Sequence, residues 1–236
     1  MSRILMISDI HGCLNQFNEL LDSIKYVPSE DELILLGDYV DRGPHSKETI
    51  ERVRELVDNY GVIALRGNHD QRLVDLIKTD SKVVQSKFLE HGGLQTLRSY
   101  CDFITHGSEI ELLRQARNYI RDHYYSHIEF LESLPLYHED VHHIYVHAGL
   151  NPKYTNWRDQ SDHDFMYIKG EFHHAESFTD KPVVFGHTRT IELHDSPEIW
   201  FGQGKIGIDG GCAYGMQLNG LIYDEGRYYT AAIKNI

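Results

Sequence analysis

What this chain lacks already narrows its function. No stretch approaches the roughly 18 consecutive apolar residues that a membrane-spanning helix requires, so a membrane role is not expected. Cysteine is scarce. Cys13, Cys101 and Cys212 are the only three in 236 residues, an odd number, far apart. They cannot form a disulfide framework, and with no CxxC pair they do not read as a structural zinc site. Basic charge is also short: 23 Lys and Arg stand against 36 Asp and Glu, a net charge of −13. A protein that holds DNA through its phosphates carries a basic stripe, and none is visible, so no DNA partner is expected. No cleavable leader is expected at the amino terminus, because Asp9 and His11 interrupt its short apolar run and no small-residue cleavage site follows. The cytoplasm is therefore the expected compartment. There is no internal repeat, linker or low-complexity tract.

What is present describes an ordinary globular domain. Hydrophobic residues make up 41% and charged residues 25%, close to typical soluble proteins. The 15 tyrosines, in an 11% aromatic share, argue against extended disorder. Apolar runs alternate with amphipathic stretches in the first third. The pattern predicts strands at Ile4–Ser8, Leu33–Leu36 and Val62–Leu65, and helices at Gln16–Ile24, Lys47–Asn59 and Gln71–Lys78. This βαβαβα order implies a mostly parallel sheet with right-handed crossovers. From about Ser81 to Leu134 there is no strand signal, and the segment reads as an inserted helical cap. Short strands return at Ile144–Val146, Val183–Phe185, Lys205–Ile208, Leu218–Tyr223 and Tyr228–Ala232, the last two joined by an Asp224-Glu225-Gly226 turn. The expectation is an α/β fold: a single domain over 1–236, with a second sheet packed on the first and the cap over about 81–134.

The unusual polar residues fall just past strand ends. Asp9 and His11 follow the first strand, Gly37-Asp38-Tyr39-Val40-Asp41-Arg42-Gly43 the second, and Gly67-Asn68-His69-Asp70 the third. His147-Ala148-Gly149 and Gly186-His187 follow two of the later strands. Singly, each has a plain explanation. Asp9 could cap a helix, the Asp38 and Asp41 segment could be a turn, and a lone His147 could be a satisfied core residue. Together, and in order, they line the carboxyl edge of the strands, where open α/β sheets bind ligands. The residue types suit two divalent cations about 3.5–4 Å apart that share a carboxylate. Asp38 is the natural bridge. Asp9 and His11 complete one metal, and Asn68, His147 and His187 the other. Mixed nitrogen and oxygen ligands suit Mn, Fe or Zn better than Ca. The 16 histidines identify no ligand by abundance alone.

These blocks resemble the phosphoprotein-phosphatase branch of the calcineurin-like metallophosphoesterases. That branch carries D-x-H, G-D-x-x-D-R-G, G-N-H-[DE], H-[AG]-G and G-H in this order. The likeness runs from Asp9 to about Gly215. It ends in Ile208-Asp209-Gly210-Gly211-Cys212-Ala213-Tyr214-Gly215, similar to I-D-T-G-C-x-x-G with Gly210 in place of Thr. This variant and the short length resemble bacterial members, which include serine/threonine protein phosphatases and diadenosine tetraphosphate hydrolases. The resemblance implies a four-layer α/β/β/α sandwich and two divalent ions, manganese first, with Fe, Zn, Ni or Co as alternatives. It implies in-line attack by a metal-bridging hydroxide, with His69 as general acid and Asp41 holding its imidazole and raising its pKa. It makes Arg42 a bidentate phosphate grip, with Asn68 also near the substrate. The family's second arginine has Lys169 as its counterpart, in the segment Met166–Phe172. The substrate expected first is a phosphorylated protein or peptide. The alternative is a dinucleoside polyphosphate, cleaved by a bis(5'-nucleosyl)-tetraphosphatase. A non-catalytic scaffold for a phosphorylated partner comes third, because it would need no acid beside the metals.

Overall fold

The structure is a computed structural model describing residues 2–101, 103 and 108–235. Residues 102 and 104–107 of the expected cap lie outside the described residues. In the first sheet, β1 (Arg3–Ile7), β2 (Asp31–Leu35) and β3 (Ile63–Ala64) run parallel. They are extended by β9 (Gln217–Asp224) and β10 (Arg227–Lys234), which are antiparallel, in the order β10-β9-β1-β2-β3. In the second sheet, β5 (Ile144–Val146), β6 (Val183–Phe185) and β8 (Lys205–Gly207) are parallel. The antiparallel strands β4 (Tyr137–Glu139) and β7 (Trp200–Gly202) form its edges, in the order β4-β5-β6-β8-β7. Two five-stranded sheets match the expected architecture.

The strands are apolar on both faces because both faces are covered. Ile4, Met6, Ile34 and Leu36 point between the sheets, where they meet Tyr145, Val184, Ile206 and Ile208. Leu5, Ile7, Leu33 and Leu35 alternate to the opposite face and pack under helices. There α1 (Leu14–Ser23) buries Phe17, Leu20 and Leu21, spaced three and four residues apart, as an amphipathic helix requires. Helix α2 (Ser46–Tyr60) buries Ile50, Val53 and Leu56 on the same principle. It ends where Gly61 takes a left-handed φ of 68° and donates its N–H to the Val57 carbonyl at 3.1 Å. Each of these fully buried aliphatic side chains contributes about 1.5–3 kcal/mol.

Helix α3 (Asn68–Lys78) leads into α4 (Lys82–Glu90), α5 (Gly93–Tyr100), α6 (Glu109–His123) and α7 (Tyr125–Ser133). The predicted insertion is thus helical, as expected. Its Phe88, Leu97, Leu112, Ile120 and Leu131 join the same core cluster as α1–α3, so it widens the helical layer of the first sheet. On the far side, α8 (Asp162–Tyr167) and α9 (Gly170–His173) close the second sheet through Phe165 and Phe172, giving four layers. Among the described residues, no helix is long and apolar enough to cross a membrane.

Candidate metal centre and its cleft

The carboxyl ends of β1, β2, β3, β5 and β6 converge, and the loops leaving them hold the predicted residues. Their backbone is unusual. Eight described residues other than glycine have positive φ, and six of them are Asp9, His11, Asp38, Asp41, Arg42 and His187. Such conformations cost on the order of 1–3 kcal/mol each and collect where a site needs them. Two glycines permit close approach: a Cβ at Gly67 would strike the Asp38 carboxylate, and one at Gly186 would strike that of Asp9. Asp70, to which no role was given from the sequence, ties the loops together. Its Oδ2 accepts the N–H groups of Asp38 at 2.8 Å and Gly67 at 2.9 Å, and its Oδ1 accepts that of Tyr39 at 2.9 Å.

Two histidines are set for ligation. His11 Nδ1 lies 2.6 Å from the Val40 carbonyl, and His147 Nδ1 lies 2.8 Å from that of Leu36. A carbonyl can only accept, so Nδ1 carries the proton and the Nε2 lone pair is aimed inward, the arrangement of a metal-binding imidazole. Both Nε2 atoms stand 3.5 Å from Asp38 Oδ2. Two clusters of ligand atoms result, His11 with Asp38 and His69, and Asp38 with His147 and His187. Asp38 belongs to both. The Asn68 amide sits 3.0 Å from His147 Nε2 and 2.8 Å from His187 Nδ1. Asp9 stands beside the first cluster, with Oδ1 3.8 Å from His11 Nε2. Its Oδ2 accepts the Ser8 hydroxyl at 2.6 Å and the His187 N–H at 2.9 Å.

Charge tests the fit to cations. Asp9, Asp38, Asp41, Asp70 and Asp209 are buried together, and burial pushes every one of these carboxyls up. The charge of Asp209 adds to the rise at Asp9, and that of Asp70 to the rise at Asp38. Acids crowded with inward-facing imidazole lone pairs form a donor set that suits divalent cations.

Within the first cluster, His69 Nδ1 is 2.7 Å from Asp41 Oδ2. Thr96, on α5, donates its hydroxyl to Asp41 Oδ1 at 2.6 Å and accepts the Asp41 N–H at 2.9 Å. Burial pushes the Asp41 carboxyl up to about 8. The expected rise in the His69 pKa is not found. Burial, then the charges of His11, Arg42 and Arg72, hold it well below the ordinary value. Its Nε2 faces two guanidiniums, Arg42 Nη2 at 2.9 Å and Arg72 Nη1 at 3.0 Å. A second Arg42 nitrogen contacts His11 Nε2.

All this opens into a cleft of about 400 Å³ lined by Asp38, Arg42, Asn68, His69, Arg72, His91, Tyr167, Lys169, His187, Arg189, Glu192, Asp209 and Tyr214. Lys169 does reach the cleft, but it is half exposed and its Nζ lies 4.0 Å from Glu192. The same Glu192 accepts from Arg189 Nε at 2.8 Å. The Tyr214 ring is stacked between Arg42 and Arg189, at 4.9 and 4.4 Å. Sequence reasoning missed Arg72, Arg189, Thr96 and Asp70 as parts of the site. The G-N-H-[DE] block contains Asp70, and that was the one available signal. The cationic side chains of the helical insertion stay outside. Arg114 pairs with Glu111 and Arg117 with Asp80, while Arg121 donates to the Ile77 carbonyl.

The profile of the family described as calcineurin-like phosphoesterase matches residues 2–204. The chain belongs to this family. It is a metal-dependent phosphoester hydrolase. A Bacillus cereus protein named bis(5'-nucleosyl)-tetraphosphatase PrpE (asymmetrical) is 30% identical over 244 residues, covering 93% of this chain and 90% of the relative. Among solved structures, a candidate diadenosine tetraphosphatase superposes with a TM-score of 0.61 at 21% identity, over 98% of this chain and 93% of that one. A serine/threonine phosphatase from Saccharomyces cerevisiae superposes with a TM-score of 0.58 at 16% identity, over 100% of this chain and 80% of that one. Those two similarities concern the fold.

Proposed function

We propose that this hydrolase cleaves a dinucleoside polyphosphate, splitting a bis(5'-nucleosyl) tetraphosphate asymmetrically. The observation that carries this reading is the charge around the cleft. In a chain of net charge −13, four cationic side chains, Arg42, Arg72, Lys169 and Arg189, line it beside Asp38, Glu192 and Asp209, and among the described residues Arg42 and Arg72 are not paired with a carboxylate. A lone phosphoryl group needs fewer cations than a chain of phosphates does. The PrpE relative, matched over 90% of its length, supports the same choice. The motif blocks put a serine/threonine protein phosphatase first; that reading keeps the same reaction centre and differs in the group that departs.

In this proposal, Asp9, His11 and Asp38 hold one divalent cation, and Asp38, Asn68, His147 and His187 hold the other, with manganese the first choice. When bound, such ions lower the pKa of a water and neutralise phosphate oxygens. Arg42 grips the phosphoryl oxygens, and Asn68 and Lys169 stand near them. Asp41 fixes the His69 ring through Nδ1, so that Nε2 faces the departing oxygen. The test is a side-by-side assay of the manganese-loaded protein on diadenosine tetraphosphate and on phosphoserine and phosphothreonine peptides. The expected kcat/KM ratio favours the dinucleotide by about a hundredfold or more, near 2.7 kcal/mol. A ratio favouring the peptides overturns the proposal.

A further inference from the structure

Arg72 is a cation that the family's motif blocks do not include, and its position is specific. It lies three residues after His69 on α3, hence on the same helix face. Its Nη1 reaches His69 Nε2 at 3.0 Å, where Arg42 Nη2 arrives from the opposite loop at 2.9 Å. Two guanidiniums therefore converge on one imidazole nitrogen. Among the described residues neither forms an ion pair with a carboxylate, whereas Arg189 and Lys169 both meet Glu192. The Tyr167 ring backs Arg72 at 5.5 Å and the Tyr214 ring backs Arg42 at 4.9 Å. Like charges this close repel, and an anion between them relieves that repulsion. Each guanidinium offers a planar fork of donors suited to phosphate oxygens.

We propose that Arg72 is a specificity-determining residue that binds the departing half of the substrate and selects a leaving group that is itself a phosphate. This rests on the tetraphosphatase reading. In the reaction the water oxygen bonds to phosphorus while the bridging P–O bond breaks. The electron pair leaves with the departing phosphate, and the water's protons pass to solvent. A serine or threonine alkoxide must be protonated as it leaves. A departing phosphate, whose last pKa lies near 6, needs its charge met instead. Arg72, at the very nitrogen that faces the departing oxygen, supplies that charge. Arg42 stays on the phosphoryl group under attack.

The test is Arg72→Gln, with Arg72→Lys as the charge-retaining control and thermal unfolding as a check that each variant folds. Manganese-loaded proteins are assayed on diadenosine tetraphosphate and on p-nitrophenyl phosphate. The expected loss in kcat/KM for Arg72→Gln is about 30-fold greater on the tetraphosphate than on the monoester, and Arg72→Lys recovers part of it. Equal losses on both substrates, or no loss on either, overturn the inference. If the unaltered protein does not cleave the tetraphosphate, the proposed function fails. The subsite is then judged by calorimetric binding of ATP and AMP in excess manganese. A preference for ATP that Arg72→Gln removes upholds it, and a preference unchanged by the substitution, or none at all, overturns it.

Discussion

Asp70 has no reactive part in the chemistry described above, yet three backbone N–H groups from two loops converge on its carboxylate. It is fully buried, so those donors have no water to turn to. Asp70→Asn keeps the size but places an NH₂ against an N–H, leaving a buried donor without an acceptor. The expected cost is about 2–3 kcal/mol, read as a lower urea midpoint, together with weaker manganese retention because Asp38 is anchored by the same loop. A variant within about 0.5 kcal/mol of the parent would show that the loops hold without it. At this scale legibility was uneven for a physical reason. Asp9, Asp38, His147 and His187 stand immediately after apolar strands, where a polar residue needs an explanation. Arg72 and Arg189 lie on a helix and beside a short turn, and there a charged residue reads as solvated surface until distances show what it faces.

Among the elements, α5 links the helical insertion to the reaction centre. It projects Thr96 into Asp41, and its preceding residue Gly92 accepts the Arg42 N–H at 3.0 Å. The insertion therefore braces the pair His69–Asp41 as well as widening a layer. Thr96→Val is nearly isosteric and removes the hydroxyl that both donates to and accepts from Asp41. The prediction is a stability loss of about 1–3 kcal/mol and a fall in kcat larger than the change in KM, with Thr96→Ser restoring most of both. Wild-type kcat in Thr96→Val would disprove the bracing role. The insertion's helical character was legible because its apolar residues recur with helical spacing. That it brings Thr96 to Asp41 was not, since a lone threonine on an amphipathic helix carries no signal. Strands β1, β2, β5 and β6 were likewise legible as apolar runs. The edge strands β4 and β7, three residues each, are too short for a two-residue alternation to stand out. Each pairs as a short hairpin with the strand that follows it, β4 with β5 and β7 with β8.

Over the whole molecule, pH acts on two opposed sets of buried groups. Without bound cations, burial raises the acids of the centre, so the folded state holds their protons more readily than the unfolded chain; bound manganese keeps the ligand carboxylates ionised and opposes this. Histidines away from the centre do the reverse. On α7, His127 Nδ1 is hydrogen-bonded to the Tyr100 hydroxyl at 2.9 Å, and burial, then the charges of Arg54 and Lys47, lower it from 6.5 to about 4. Its contribution is fully present above pH 6.5 and is lost as the pH falls toward 4, because only the unfolded chain takes up the proton in that window. Net stability against pH mixes both sets, so a single curve cannot separate them. His127→Asn keeps a hydrogen-bonding group near the Tyr100 hydroxyl and removes the titration. The packing loss it causes is independent of pH. Relative to this variant, the parent should therefore lose up to about 1.4 kcal/mol per pH unit between pH 6.5 and 4, measured as urea midpoints at fixed manganese. Parallel curves for the two proteins across that window would mean that His127 titrates alike in both states and that its burial costs the folded protein nothing in charge.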